Sequence, residues 1–216
     1  MARPSPSPDA PPRPLRRPPT LSRADRGVES NSRLTGSTAA VLLVLLAAEG
    51  ITILRIQPML NAHVFIGMLL IPPVVLKIAS TSYRFARYYL GTPAYRRKGP
   101  PAPLLRLLGP FVVILSLLVL GSGVGLLLAP TGLRSNLLLL HKATFVLWFG
   151  AMTIHVLGHI LETAKLAPRD YYWRTRRQVA GAGLRQWTIA AMLGIGVVLG
   201  ALLIPKVGPY PAGIHR

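Results

Sequence analysis

An all-α bundle of five membrane-spanning helices is the fold this sequence predicts, on three observations. Hydrophobic residues make up 51% of the 216 positions and charged residues only 14%, too apolar a balance for a soluble domain of this size. Five apolar runs have the length needed to cross a bilayer as helix. The basic residues behind the net charge of +19 gather in tails and loops on one side of a five-span topology. That arrangement accounts for the charge, and with no nucleic-acid recognition motif beside it, nucleic acid is not an expected partner. The partner it implies is the lipid bilayer, and the expected location is a cell membrane, of bacterial plasma-membrane type.

Residues 1–34 are rich in Pro, Ser and Arg and lack an apolar face, which predicts a disordered tail. No cleavable signal peptide is expected, because the first apolar run lies far from the start and has no good small-residue cleavage site. The transmembrane domain is expected over 35–206, with spans near 37–54, 62–82, 107–129, 137–162 and 186–204, and a short tail over 207–216. Seven arginines from Arg3 to Arg33 precede span one. Arg84, Arg87, Arg96, Arg97, Lys98 and Arg106 follow span two, and Lys165, Arg169, Arg174, Arg176, Arg177 and Arg185 follow span four. The opposite side has only Arg55, Arg134, Lys142, Lys206 and Arg216, so the N-terminus is expected in the cytoplasm and the C-terminus outside.

Spans one, three and five read as scaffold. Span three has no ionisable group, and the spacings Gly121/Gly125 there and Gly196/Gly200 in span five permit close helix approach. The loops STSYRFARYYLGTPAYRRK and PRDYYWRTRR interleave aromatics with arginines, a pattern of an interfacial belt on anionic lipid or of a docking surface for a soluble redox partner.

Spans two and four run in the same direction and carry the polar groups. Lys77 follows His63 by fourteen residues, and His155 follows His141 by fourteen. Fourteen residues of helix advance about 21 Å and return close to the same face, so each span places two groups on one face at opposite membrane levels. His159, eighteen residues after His141, shares that face. Ionisable groups within a span turn toward the bundle interior. Two imidazoles at one depth suit haem iron, which accepts one axial nitrogen from each side, whereas zinc needs two further ligands, with only Glu49 near that level.

With helical histidines fourteen apart, and the stretch HVFIGMLLIPPVVLKIASTSYRFARYYLGTPAYRRKGPP, the chain resembles membrane b-type cytochromes of the cytochrome b561-like and ferric-reductase-like kind, over roughly residues 60–165. The resemblance implies that His63 and His141 are axial ligands of one haem b, with Gly67 leaving room for the macrocycle. At the second level it departs from the family pattern, with Lys77 opposite His155 or His159, so one haem is implied and a second would need another ligand. An ammonium has no lone pair, and Lys77 snorkels to the interface, meets a haem propionate, or ligates only if neutral. Met192 is a further candidate opposite the inner histidines, and His155, His159 and Glu162 have the H-x3-H-x2-E spacing of a metal site.

No cysteine is present, which excludes thiolate sites and cysteine nucleophiles. No hydrolase, phosphate-loop, flavin or nicotinamide motif appears. The expected function is therefore electron transfer by a haem b protein or oxidoreductase subunit, not a complete enzyme, with a quinone or a separate redox protein as partner. Two alternatives stay open, a membrane anchor or assembly subunit without haem, and proton or ion translocation through Glu49, Lys77, His155 and His159.

Overall fold

The computed structural model describes residues 22–99, 103–171 and 181–208, with side chains described throughout these ranges except at 98, 103–105 and 159–171. Its described elements are helical: α1 (Arg23–Leu54), α2 (Ile56–Tyr89), the short α3 (Pro93–Lys98), α4 (Pro103–Leu128), α5 (Thr131–Tyr171) and α6 (Ala182–Leu203), closed by a 3-10 turn over Ile204–Lys206. Five of these helices, α1, α2, α4, α5 and α6, are long and apolar enough to cross a membrane. Large apolar side chains stand exposed along them, among them Val44, Leu139, Trp187 and Leu202, as expected of a chain whose solvent is lipid.

The first helix begins inside the stretch expected to be a disordered tail. Ser22 caps it: the Asp25 N–H donates to Ser22 Oγ at 3.1 Å, and the Ser22 hydroxyl donates to the Asp25 carboxylate at 2.7 Å. Arg97 of α3 then reaches the other Asp25 oxygen at 2.7 Å, while Val28 is buried with Ala94 and Tyr95. The Ser22 hydroxyl and the Arg97 guanidinium hold the Asp25 carboxyl below its ordinary range. Helix formation over 23–34 thus depends on partners more than sixty residues away, which tail composition does not reveal. The remainder of the tail, 1–21, and the end of the chain, 209–216, lie outside the described residues.

A single residue, Arg55, turns α1 into α2, and Ala129 and Pro130 turn α4 into α5. Both pairs are antiparallel hairpins. Helix α1 also packs on α5, and α6 packs on the far side of α2, whereas α2 and α4 meet only over a short stretch. Helix α2 runs unbroken through Pro72 and Pro73, both buried. Between the hairpins lies a cavity of about 1510 Å³, walled by α1, α2, α4 and α5.

The glycine spacings behave differently in the two scaffold helices. A Cβ on Gly196 would lie 2.8 Å from the backbone of Leu69, and one on Gly200 would enter the Phe65 ring, so α6 approaches α2 as closely as only glycine allows. On α4, Gly121 faces open space, and the close approach to α5 falls at Gly123 and Gly125.

Two expectations follow. Gly196→Ala should destabilise the bundle by about 1–3 kcal/mol through overpacking, while Gly194→Ala, with nothing within 4 Å of its added methyl, should be neutral or slightly stabilising in the same detergent melting experiment. The cysteine-free background also makes orientation directly measurable. In intact cells a membrane-impermeant maleimide should label Ser135→Cys and spare Thr92→Cys, and the reverse pattern would overturn the predicted orientation.

Candidate functional site

His63 enters on the second turn of α2 and His141 on the third turn of α5, both at the end of the bundle where α1 turns into α2 and α4 into α5. The two rings meet across the cavity with centroids 6.3 Å apart and planes at 83°. Both are partly buried. The two helices that carry them stand on opposite walls of the cavity, so the rings approach without their backbones packing.

Each imidazole is held from behind by the neighbouring helix of its own hairpin. The Thr52 hydroxyl donates to the Glu49 carbonyl at 2.6 Å, which commits its proton and leaves its lone pair facing His63 Nδ1 at 3.0 Å. The Glu49 carboxylate lies 3.0 Å from the same nitrogen. In the second hairpin the Ser122 hydroxyl donates to the Val119 carbonyl at 3.1 Å and faces His141 Nδ1 at 3.1 Å, while that carbonyl lies 3.0 Å from the same nitrogen. A carbonyl only accepts, so His141 carries its proton on Nδ1, and the Thr52 hydroxyl, bonded to the Glu49 carbonyl, is placed to accept from the same nitrogen of His63.

The consequence is chemical. With the proton fixed on Nδ1, each ring keeps the Nε2 lone pair as its metal-ligating atom, and hydrogen bonding at Nδ1 makes that lone pair more basic. The site therefore offers two neutral imidazole donors on opposite sides of one space. Among the described residues no group of three or more His, Cys, Asp or Glu side chains converges as a metal site. Two donors fall short of a tetrahedral zinc shell and equal the axial requirement of haem.

Two glycines admit this arrangement in different ways. A Cβ on Gly123 would lie 3.3 Å from His141 Cε1, so a side chain there would crowd the ring. Gly67 lines the cavity, and a Cβ on it would make ordinary contact, 3.5 Å, with the Glu49 carboxylate. Phe145, Trp148 and Met152 line the cavity on α5. Trp148 is oriented by donating to Ser116 Oγ at 2.9 Å.

The inner level is built otherwise. Lys77 Nζ donates to the Thr35 carbonyl of α1 at 2.9 Å, a bond of the kind an ammonium makes, beside a polar patch in which Asn31 donates to the Ser80 carbonyl at 3.2 Å. His155 lines the same cavity. His159 and Glu162 lie on the α5 backbone, but their side chains fall outside the described residues, and the H-x3-H-x2-E cluster with them. Met192 is on α6, which contributes no wall to the cavity among the described residues.

Sequence reasoning found His63, His141 and the approach of Glu49, and missed Thr52, Ser122 and Gly123. The available signal was a lone hydroxyl near the end of each outgoing helix, in TIL and in GSG, preceding an imidazole on the return helix. Comparison with families of known proteins, with curated proteins and with solved structures finds no match to this chain.

Proposed function

We propose that this chain is a membrane electron-transfer protein, or the membrane subunit of an oxidoreductase, that holds one haem b between His63 and His141. The observation that carries this reading is the pair of imidazoles, each fixed in the tautomer that frees Nε2, at a separation suited to a shared metal. Two in-line metal–nitrogen bonds of about 2.0 Å, extended to the two ring centres, span about 6.4 Å, against the 6.3 Å between the ring centroids. Haem supplies the four remaining nitrogens of an octahedral iron and a reversible one-electron couple.

The protein's own part is to bind, orient and insulate. His63 and His141 would hold the haem iron, and the Thr52/Glu49 and Ser122/Val119 clamps orient the two rings and would raise their basicity. The walls of the space around them are mainly apolar. With both imidazoles bound to it, a haem here would keep no open position for substrate, which suits electron transfer. With no flavin or nicotinamide motif in the sequence, electrons come from or pass to another carrier, a quinone or a redox protein. Lys77 bonded to the Thr35 carbonyl at the inner level supports a stoichiometry of one haem per chain.

Dithionite-reduced minus oxidised spectra and the pyridine haemochrome of protein purified from haem-sufficient cells should give a b-type signal near one haem per chain. His63→Ala and His141→Ala should each lower haem retention by at least about 10-fold. Normal spectra in both variants would sink the ligand assignment, and colourless wild-type protein would favour a membrane anchor. Thr52→Val and Ser122→Ala each leave a second acceptor at Nδ1 and should retain haem. Their weaker ligands should raise the midpoint potential by about 30 mV, the equivalent of a roughly threefold change in the one-electron equilibrium. An unchanged potential in both would remove the clamps from the mechanism.

A further inference from the structure

The end of the cavity nearest the two imidazoles carries a group of cations. Arg134 of α5, Lys142 beside His141, and Lys206 after α6 all line it, and all three are exposed. Positive charge on this side of the bundle is scarce, yet three of its few basic residues meet at one opening. The sole carboxylate among the described lining residues is Glu49, on α1 and turned to His63 Nδ1.

Register decides which wall these charges serve. Arg134 precedes His141 by seven residues, nearly two full turns and about 10 Å of helix, so the two project from the same face of α5. The Arg134 Nε donates to the Ala129 carbonyl at 3.3 Å, which anchors the guanidinium at the mouth. Gly208 lies against Arg134 Nη1, where a Cβ would approach to 3.5 Å, and this contact brings the segment bearing Lys206 to the same place. Across the cavity, the residue seven before His63 is Ile56, followed by Leu60, and both are apolar lining residues. The mouth is thus basic on the α5 side and apolar on the α2 side.

We infer that Arg134 and Lys206 form a seat for the two propionate carboxylates of the haem, which fixes its edge toward the start of α5 and the end of α6. This rests on the axial assignment above and adds to it a direction for the macrocycle. A flat apolar ring with two carboxylates on one edge matches a cavity with apolar walls and cations on one side of its mouth. The apolar start of α2 offers no cation for the opposite setting.

The test is a titration of full-length apoprotein, made under haem limitation and kept in mild detergent, with protohaem and with its dimethyl ester. The ester should bind wild-type protein about tenfold more weakly, the sum expected of two exposed ion pairs. An Arg134→Gln/Lys206→Gln variant should bind haem and ester within about twofold of one another, and its affinity for the ester should match that of wild type, which shows that its fold and axial site are intact. The wild-type comparison stands even where that variant fails to fold. Equal affinity of wild type for haem and ester, with binding abolished by His63→Ala, overturns the seat and spares the axial assignment. Failure of both probes to bind wild type overturns the axial assignment and the seat with it.

Discussion

Hydrocarbon offers a polar side chain no water, so each such group in this bundle must find its partner in the protein. The nearest acceptors are backbone carbonyls, and much of the described polar chemistry is anchored to them. Thr35, Thr38, Ser116, Thr144 and Thr153 return their hydroxyl protons to the carbonyl four residues earlier. Lys77 crosses from α2 to a carbonyl of α1, and His141 reaches one of α4. What began as a requirement of solvation becomes a means of orientation, because a hydroxyl whose proton is committed can only accept from whatever else approaches it.

That logic places the two histidines. A lone imidazole in a membrane can choose either tautomer and turn about its side-chain bonds. Here Thr52 and Ser122, each committed to a carbonyl three residues earlier, take that choice away in the same manner in two unrelated hairpins. The two ring planes stand at 83° to one another. The space beside the rings is bounded by the two imidazoles and mainly apolar side chains.

The five spans were legible because length and hydropathy are properties of a segment alone. The meeting of His63 and His141 was legible too, since both lie near the start of spans that run in the same direction. The clamps were not, because a hydrogen bond between neighbouring helices depends on their rotation about their own axes, and an apolar run such as span three carries almost no rotational signal. Lys77 illustrates the same limit, as its depth was readable while its choice of Thr35 on α1 was not. The early start of α1 was hidden for another reason, since Ser22 and Asp25 become a helix cap in company with Arg97 and Tyr95, which only the fold brings near.

The uneven packing of the bundle has a consequence for traffic. Helix α6 is locked to α2 through Gly196 and Gly200, and α1 is held between α2 and α5, but the seam between α2 and α4 is short of contacts. It is the seam whose parting would cost the least packing. Were that seam to part within a bilayer, a hydrophobic guest would reach the cavity by partitioning into the membrane and diffusing laterally. Its occupancy would then answer to the amount dissolved in the membrane more than to the amount free in water.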